Sequence, residues 1–352
     1  MMPEKKLTLE KSDTPTLEID YTNIENRFKD RLSRFKKGCS NLRDQVKKKV
    51  RNKYGSLAEG KLQWCRIPKI GSKYMARLIE KTTKSTFSTR YDSNITENFM
   101  FVREPYSRLL SGYLDKLGTY PQWWQGLGEY ITDNFKGSNK TNETSTCGHD
   151  VTFPEFVKYF IHSETYLQRQ DKHFMPMFRH CGACQKSFKY IGHLETLYDD
   201  VKYIFGSINI NISSEVISRS DVQTIRAKCS QFLNDFFNTN YSRCLSVCDA
   251  MQKVWWSFHI RGLIGRDVEF PLSGKPCTNI TGRQLTEMAV TAHEESKGKF
   301  DKHKQKSEFT RELFLQVSIE DRLTVRKLLK RDFLLFGYDD QPAGIFPELI
   351  MD

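Results

Sequence analysis

The 352-residue chain has no uninterrupted apolar run of about eighteen residues, the least that a membrane-spanning helix needs. Its first residues, Met-Met-Pro-Glu-Lys-Lys, also lack the apolar core of a secretory signal peptide. Negative charge is scarce, because 55 Lys and Arg residues outnumber 43 Asp and Glu residues and leave a formal net charge of +12. With 38% hydrophobic residues the chain can still bury a core, which excludes wholesale disorder. The charge predicts an acidic partner: a nucleic acid, an anionic glycan, nucleotide phosphates or a membrane surface.

The nine cysteines are an odd number, so at least one thiol is free or intermolecular if the others pair. Two close pairs stand out, Cys181 with Cys184 and Cys244 with Cys248. Zinc bound by these four, with or without His180, is one interpretation, but the pairs lie much further apart than in compact zinc ribbons and fingers. We therefore predict disulfides in an oxidising compartment and no metal site.

Sequons for N-glycosylation agree with that compartment. The Asn-x-Ser/Thr pattern occurs at Asn94, Asn139, Asn142, Asn211, Asn240 and Asn279. Chance matches are the alternative in a chain rich in Asn, Ser and Thr. Because Asn139 and Asn142 lie in a polar stretch typical of an exposed loop, the sequons favour a glycoprotein of the secretory pathway.

The beginning of the chain is strongly basic. Residues 1–26 are predicted to be a flexible segment. Apolar residues then recur every three or four positions from Phe28 to Val50, which predicts a basic amphipathic helix over 27–58 with Gly55 as its C-cap. The basic face of this helix either lies in water or binds a polyanion.

Residues 59–342 alternate strands with helices, which predicts an α/β fold with a central parallel sheet flanked by helices. The predicted strands are 62–67, 98–102 and 189–193, and the predicted helices are 74–81, 106–117, 153–162, 197–205 and 319–336. No order of helices and strands can be assigned to residues 206–285, which are predicted to be a divergent, insertion-like region. The type of element formed by its apolar stretch 254–258 is ambiguous. Residues 343–352 are predicted to be a C-terminal tail.

A first candidate ligand-binding turn joins the first predicted strand of residues 59–342 to the first predicted helix. It reads Ile67-Pro68-Lys69-Ile70-Gly71-Ser72-Lys73-Tyr74. Gly71 lets the backbone approach a ligand closely, and the N–H groups that follow lie at a helix N-terminus, where they attract a phosphate. The turn lacks the Gly-x-x-x-x-Gly-Lys-Ser/Thr pattern of a Walker A loop. A plain helix start with surface lysines is the alternative.

A second such turn follows the strand 98–102. Arg103 leaves the end of that strand, Pro105 suits the first turn of a helix, and Ser111 lies about two turns further on. A guanidinium and a hydroxyl can clamp a phosphate between them. Because the carboxyl ends of neighbouring parallel strands form the crevice that binds ligands, we predict that both turns hold one nucleotide.

These two turns resemble the donor-binding motifs of sulfotransferases. Residues 68–72, Pro-Lys-Ile-Gly-Ser, are similar to the 5′-phosphosulfate-binding loop, and Arg103 with Ser111 is similar to the 3′-phosphate-binding motif. The surrounding Phe-Val-Arg-Glu-Pro-Tyr-x-Arg-Leu-x-Ser-x-Tyr resembles the Golgi carbohydrate sulfotransferases of the chondroitin/dermatan 4-O- and HNK-1 group. Further similar blocks lie at 153–157, 173–176, 181–184, 190–196 and 332–338.

The resemblance implies a P-loop-like sulfotransferase fold and transfer of a sulfuryl group from 3′-phosphoadenylyl sulfate (PAPS) to a sugar hydroxyl, without a metal. Lys69 would stabilise charge on the leaving group, and Arg103 with Ser111 would hold the 3′-phosphate. The residues that would cradle the 5′-phosphosulfate are Pro68, Lys69, Ile70, Gly71, Ser72, Lys73 and Tyr74. The implied acceptor is an anionic glycosaminoglycan of the chondroitin/dermatan type.

The sequence differs from the family at the position of the expected general base, which would accept the proton of the sugar hydroxyl. Relatives often carry a histidine between the two phosphate motifs, yet residues 75–102 contain none. We take His173 as the candidate base, with Glu80 and Glu97 as further candidates and a purely structural histidine as the alternative.

Other functions and the cellular location also stay open. A catalytically impaired relative that binds glycan or nucleotide is the first alternative, and a nucleic-acid-binding protein or a kinase is a lesser one. The sequons and cysteine pairs argue against nucleic acid. The family implies a membrane-associated protein of the Golgi lumen, so we expect that an N-terminal anchor is missing from this sequence.

Overall fold

The computed structural model describes residues 21–40, 52–57, 60–83, 87–88, 92, 94–95, 97–136, 147–213, 220–238, 244–274 and 280–349. Its strands are β1 (Lys53–Leu57), β2 (Leu62–Arg66), β3 (Phe87–Ser88), β4 (Asn98–Val102) and β5 (Tyr190–His193). They form one sheet in the order β3-β1-β2-β4-β5. Strands β2, β4 and β5 run parallel, and β1 pairs antiparallel with β2 and β3 at one edge. The predicted parallel sheet is confirmed, with an antiparallel edge that the sequence did not indicate.

The helices that surround the sheet are α1 (Tyr21–Ser40), α2 (Ser72–Thr83), α3 (Pro105–Lys116), α4 (Glu129–Phe135), α5 (Phe153–Tyr166), α6 (Leu197–Gly206), α7 (Asp221–Asn238), α8 (Val247–Ile260), α9 (Gly282–Ser296), α10 (Lys302–Leu315) and α11 (Ile319–Phe336). None of these helices is both long and apolar enough to cross a bilayer. The predicted α/β fold with flanking helices is therefore confirmed.

The basic N-terminal helix differs from its prediction. Helix α1 (Tyr21–Ser40) includes residues of the segment predicted to be flexible, and residues 53–57, which were predicted to be helical, form β1 instead. Gly55 is not a C-cap but lies in β1, where Tyr54 and Leu57 are buried against the sheet. The helical spacing of apolar residues misled here because backbone pairing with β2 and β3 decides the conformation of 53–57. Residues 1–20 and 41–51 lie outside the described residues.

Helix α1 belongs to the folded body. Its side chains Ile24, Phe28 and Phe35 are each only 4% exposed, and they join the core around the sheet. Arg31 donates to the buried Asp200 carboxylate at 2.7 Å, which fixes the helix against β5 and α6. The apolar face of this helix thus packs on the body.

Disulfides cross-link distant parts of the fold: Cys39–Cys184, Cys65–Cys181 and Cys147–Cys244. Cys248 is also disulfide-bonded, whereas Cys229 is a buried free thiol. The predicted disulfides and the unpaired thiol are confirmed. Cys181 and Cys184 do not bond to each other but tie one loop to β2 and to α1. Among the described residues, no cluster of His, Cys, Asp and Glu has the arrangement of a metal site.

The described parts of the region predicted to be a divergent insertion are mostly helical. Helices α7, α8 and α9 share a separate apolar cluster, which includes Phe232, Trp255 and Trp124. The ambiguous stretch 254–258 lies inside α8. Together these helices form a layer, and Lys228 and Gln231 of α7 and Arg261 at the end of α8 line the cavity described next.

Candidate functional site

A cavity of about 1270 Å³ opens where β2, β4 and β5 end. The residues that follow these strands, Pro68, Arg103 and Leu194, all contribute to its wall. The structure brings together nearly all of the site residues predicted from the sequence, and those that line the cavity are Pro68, Lys69, Gly71, Ser72, Lys73, Tyr74, Arg103, Ser111 and His173. Ile70 is the exception, because its side chain is fully buried in the core beneath the turn.

The turn after β2 has an unusual backbone. Gly71 has a φ of 74°, as its role in the turn requires, but Lys69 has a φ of 68°, which residues with a side chain rarely adopt. Helix α2 begins at Ser72, and the first hydrogen bond of its backbone runs from the N–H of Met75 to the carbonyl of Gly71 at 3.0 Å. The N–H groups of residues 72–74 therefore precede the helical ladder at the cavity wall.

Two arginines hold this turn against α3. Arg103 donates to the carbonyl of Lys69 at 3.4 Å. Arg108 is 2% exposed and donates to the carbonyls of Pro68 at 3.1 Å and Met175 at 2.7 Å. Arg108 thus connects the turn to the segment that carries His173. Its place in the motif around Arg103 was the only sequence signal for this role.

The N-terminus of α3 is capped by the side chain of Glu104, the residue that precedes the helix. The Glu104 carboxylate accepts from the N–H groups of Tyr106 at 2.8 Å and Ser107 at 2.6 Å. The N–H of Glu104 donates to Glu195, which also accepts from the hydroxyl of Tyr338 at 2.8 Å. An anion at this end of the cavity would meet side chains such as Arg103 instead of free backbone donors.

His173 lies close to α3 because residue 112 is a glycine. A Cβ added at Gly112 would lie 2.7 Å from Cδ1 of Phe174 and 3.3 Å from the carbonyl oxygen of His173. The segment 173–174 can therefore pack directly beside Ser111, the hydroxyl of the predicted 3′-phosphate clamp. The imidazole also meets the ring of Trp123 edge-on, with 5.5 Å between the ring centres.

The His173 imidazole has the arrangement of a general base. Its Nδ1 lies 2.6 Å from Oδ1 of Asp171. Burial lowers the pKa of His173 below its usual value even though Asp171 raises it, so the ring is neutral at pH 7. Burial alone would raise the pKa of Asp171, but the hydrogen bonds from His173 lower it, so this carboxylate is charged. Since a carboxylate only accepts, Nδ1 carries the proton and Nε2 keeps a lone pair.

Lys69 pairs with a carboxylate that the sequence analysis missed. Its Nζ lies 2.7 Å from Oδ2 of Asp115, and the two side chains are 10% and 14% exposed. Burial lowers the pKa of Lys69 to about 7, against the opposing effect of Asp115. Asp115 lies four residues after Ser111, which places both on the same face of α3. That spacing was a usable signal.

Two further cations reach the same carboxylate. Oδ1 of Asp115 lies 3.3 Å from Nζ of Lys228 and 3.9 Å from Nη2 of Arg261. Burial would raise the pKa of Asp115, but Lys69, Lys228 and Arg261 hold it well below its usual range. Lys228 is on α7 and Arg261 follows α8, so both come from the region that the sequence left unordered. No local signal could have found them.

The helical layer also shapes the mouth of the cavity. One face of α7 contributes Lys228 and Gln231, and Nζ of Lys73 donates to Oε1 of Gln231 at 3.2 Å. The first turns of α10 add Lys302 and Lys306 to the wall. Burial lowers the pKa of Lys306 to about 8. The cavity is thus strongly cationic on both sides.

The sulfotransferase family model matches residues 58–232. Among curated proteins, carbohydrate sulfotransferase 14 of Danio rerio is 38% identical over 107 residues, which are 30% of this chain and 28% of that protein. Carbohydrate sulfotransferase 14 of Homo sapiens is 34% identical over 106 residues, 30% of this chain and 27% of that protein.

Carbohydrate sulfotransferase 10 of Homo sapiens is 26% identical over a longer segment of 183 residues, 43% of this chain and 51% of that protein. The chain thus spans about a quarter to a half of the length of these curated relatives. No solved structure matches it.

Proposed function

We propose that this chain, whose residues 58–232 belong to the sulfotransferase family, transfers a sulfuryl group from PAPS to a hydroxyl of an anionic glycan of the chondroitin/dermatan type. The observation that carries the proposal is the meeting of the two predicted turns in one cationic cavity at the ends of the parallel strands. Its similarity to carbohydrate sulfotransferases supports a sugar as the acceptor.

The donor would lie across the two turns. The N–H groups of residues 72–74, with Lys69 and Lys73, would hold the 5′-phosphosulfate at the N-terminus of α2. Gly71 allows close approach, and Pro68 lies beneath in the wall. Arg103 and Ser111 would hold the 3′-phosphate, so the site would discriminate against nucleotides that lack this group, such as ATP. Ile70 would act only by anchoring the turn in the core.

The transfer needs an in-line arrangement of acceptor, sulfur and leaving group. The acceptor oxygen forms a bond to sulfur while the bond from sulfur to the bridging oxygen breaks, and the electron pair remains on the 5′-phosphate. Lys69 would stabilise that developing charge. The proton of the acceptor hydroxyl would pass to Nε2 of His173, and the Asp171 carboxylate would stabilise the resulting imidazolium. Asp115 is a poor alternative base, because its pKa is held well below the usual range.

The location proposed for the protein is the Golgi lumen, with association to the membrane. Similarity to carbohydrate sulfotransferases supports this location, and so do the disulfides, which form and persist in oxidising compartments. Two of the predicted glycosylation sites, Asn94 and Asn211, lie among the described residues, and both are exposed.

A catalytically impaired relative is the second candidate. The ion pair between Lys69 and Asp115 favours this candidate, because it engages the ammonium group that the reaction needs. Such a protein would keep nucleotide or glycan binding without turnover.

Nucleotide binding is the first test. Adenosine 3′,5′-bisphosphate should raise the melting temperature, ATP should do so much less, and Arg103→Ala should abolish the shift. Arg226→Ala serves as the control, because Arg226 is exposed and pairs with Glu287 away from the cavity. Equal stabilisation by ATP would contradict the 3′-phosphate assignment.

Transfer is the second test, measured with radiolabelled PAPS and desulfated chondroitin or dermatan. Incorporation of label supports the enzyme, and binding of nucleotide without incorporation supports the impaired relative.

A further inference from the structure

The carboxylate of Asp115 is surrounded by an excess of positive charge. Lys69 contacts one of its oxygens, and Lys228 and Arg261 approach the other at 3.3 and 3.9 Å. The four side chains are 10% to 18% exposed, so water reaches them poorly. One carboxylate thus serves three basic groups at one point of the cavity.

None of the three cations has a second carboxylate among its ion pairs within the described part of the chain. The Nε and Nη2 atoms of Arg261 are buried and have no hydrogen-bond acceptor there. A buried guanidinium with unsatisfied donors is costly, so the cluster is built for a ligand that brings further anionic oxygens.

The shape of the cluster indicates which anion fits. A carboxylate carries two oxygens on one carbon, and these oxygens share one negative charge. A sulfuryl group resembles it, because its oxygens are bound to one sulfur and also share negative charge. Lys69 is also the residue placed at the bridging oxygen next to that sulfur under the proposed function. Lys228 and Arg261 therefore lie on the side of Lys69 where the sulfuryl oxygens of a bound donor would be.

We propose that Lys69, Lys228 and Arg261 form the subsite for the sulfuryl group, and that Asp115 is an internal counterion that occupies this subsite while it is empty. Donor binding transfers the three cations from the Asp115 carboxylate to the sulfuryl oxygens. The assignment rests on the proposed function and extends it to α7 and to the end of α8. These helices are then part of the reaction centre rather than an accessory layer.

Comparison of two nucleotides tests the assignment, because PAPS carries the sulfuryl group and adenosine 3′,5′-bisphosphate does not. We expect Lys228→Met and Arg261→Gln to weaken PAPS binding at least tenfold and bisphosphate binding less than threefold. Asp115→Asn removes the competing charge and should strengthen PAPS binding at least threefold. Arg226→Gln is the matched control, an exposed cation on the same helix as Lys228.

Equilibrium titration of each variant gives clear outcomes. Equal effects on both nucleotides, or unchanged PAPS binding in Lys228→Met and Arg261→Gln, would overturn the subsite. Weaker PAPS binding in Asp115→Asn would show that Asp115 only positions Lys69. Arg261→Gln and Asp115→Asn keep the test decisive if Lys228→Met does not fold. A wild-type protein that fails to bind the bisphosphate would instead refute the proposed function itself.

Discussion

Replacing Asp171 by Asn removes the negative charge beside the His173 imidazole and leaves the size of the side chain unchanged. In the wild-type protein, Oδ1 of Asp171 lies 2.6 Å from Nδ1 of His173. The two side chains are 24% and 19% exposed, so solvent screens their interaction only in part. The substitution tests whether this pair accepts the proton of the acceptor hydroxyl.

The size of the effect follows from the charge that forms during transfer. When His173 takes up a proton, its positive charge lies roughly 4 Å from the centre of the carboxylate charge, and at an effective dielectric constant of about 20 this attraction is about 4 kcal/mol. Partial exposure reduces that value, so we expect a loss of about 3 kcal/mol. Since each 1.4 kcal/mol is about tenfold in rate, kcat should fall by about a hundredfold.

The assay is sulfate transfer measured across a range of pH. Under the proposed function the activity requires unprotonated His173, so it should decline as the pH falls through the pKa of this residue. Asp171 raises that pKa in the wild-type protein, and its loss lowers the pKa further. The acid limb of the profile should therefore move to lower pH while the plateau drops. The KM for PAPS should stay constant.

Two results would refute this reasoning. Wild-type turnover in Asp171→Asn would remove the pair from the reaction. A loss of rate with an unshifted profile and a lower melting temperature would show that Asp171 only stabilises its loop. The control is Asp30→Asn, an exposed carboxylate on α1 that should change neither rate nor profile.

Two further predictions concern proton uptake and stability. Burial lowers the pKa of Lys69 to about 7, and a bound anion must raise it, so PAPS binding at pH 8 should take up protons and weaken as the pH rises from 7 to 9. Calorimetry in buffers of different ionisation enthalpy measures this uptake, which Lys69→Met should reduce. Arg31→Met leaves the fully buried Asp200 with only Arg27 as its cation, so the free energy of unfolding should fall by about 3 kcal/mol. Urea denaturation measures this loss, and an unchanged midpoint would contradict it; Lys29→Met, an exposed control, should leave the midpoint in place.

The sequence predicted those elements whose conformation is decided locally. The strand 98–102 and the helix 319–336 were predicted with the bounds that the structure gives them, because the first is a short apolar run and the second a long amphipathic pattern. Strand β1 was missed because its few residues take their conformation from hydrogen bonds to β2 and β3. Helix α8 was ambiguous because an apolar stretch of five residues has no distinguishing period.

The same division applies to the candidate site. Lys69, Arg103 and Ser111 lie in two short motifs that follow predicted parallel strands. Because the carboxyl ends of such strands form one crevice, their proximity could be predicted from the sequence. Lys228 and Arg261 are more than a hundred residues from Asp115 along the chain, and only the tertiary arrangement of α7 and of the end of α8 brings them close to it. Charge excess in the sequence indicated an anionic ligand but could not indicate where its charge would lie.

Under the proposed function, the two helices that begin at the cavity would divide the recognition of the donor between backbone and side chains. At α2 the N–H groups of residues 72–74 precede the helical ladder in residues that line the cavity, so under the proposed function the backbone itself would hold the 5′-phosphosulfate. At α3 the Glu104 carboxylate already satisfies the corresponding donors, at 2.6 and 2.8 Å, and repels a second anion there. Recognition of the proposed 3′-phosphate would therefore depend on side chains, above all Arg103. This is why one substitution at Arg103 should abolish nucleotide binding, whereas the backbone donors of α2 would survive any single side-chain change.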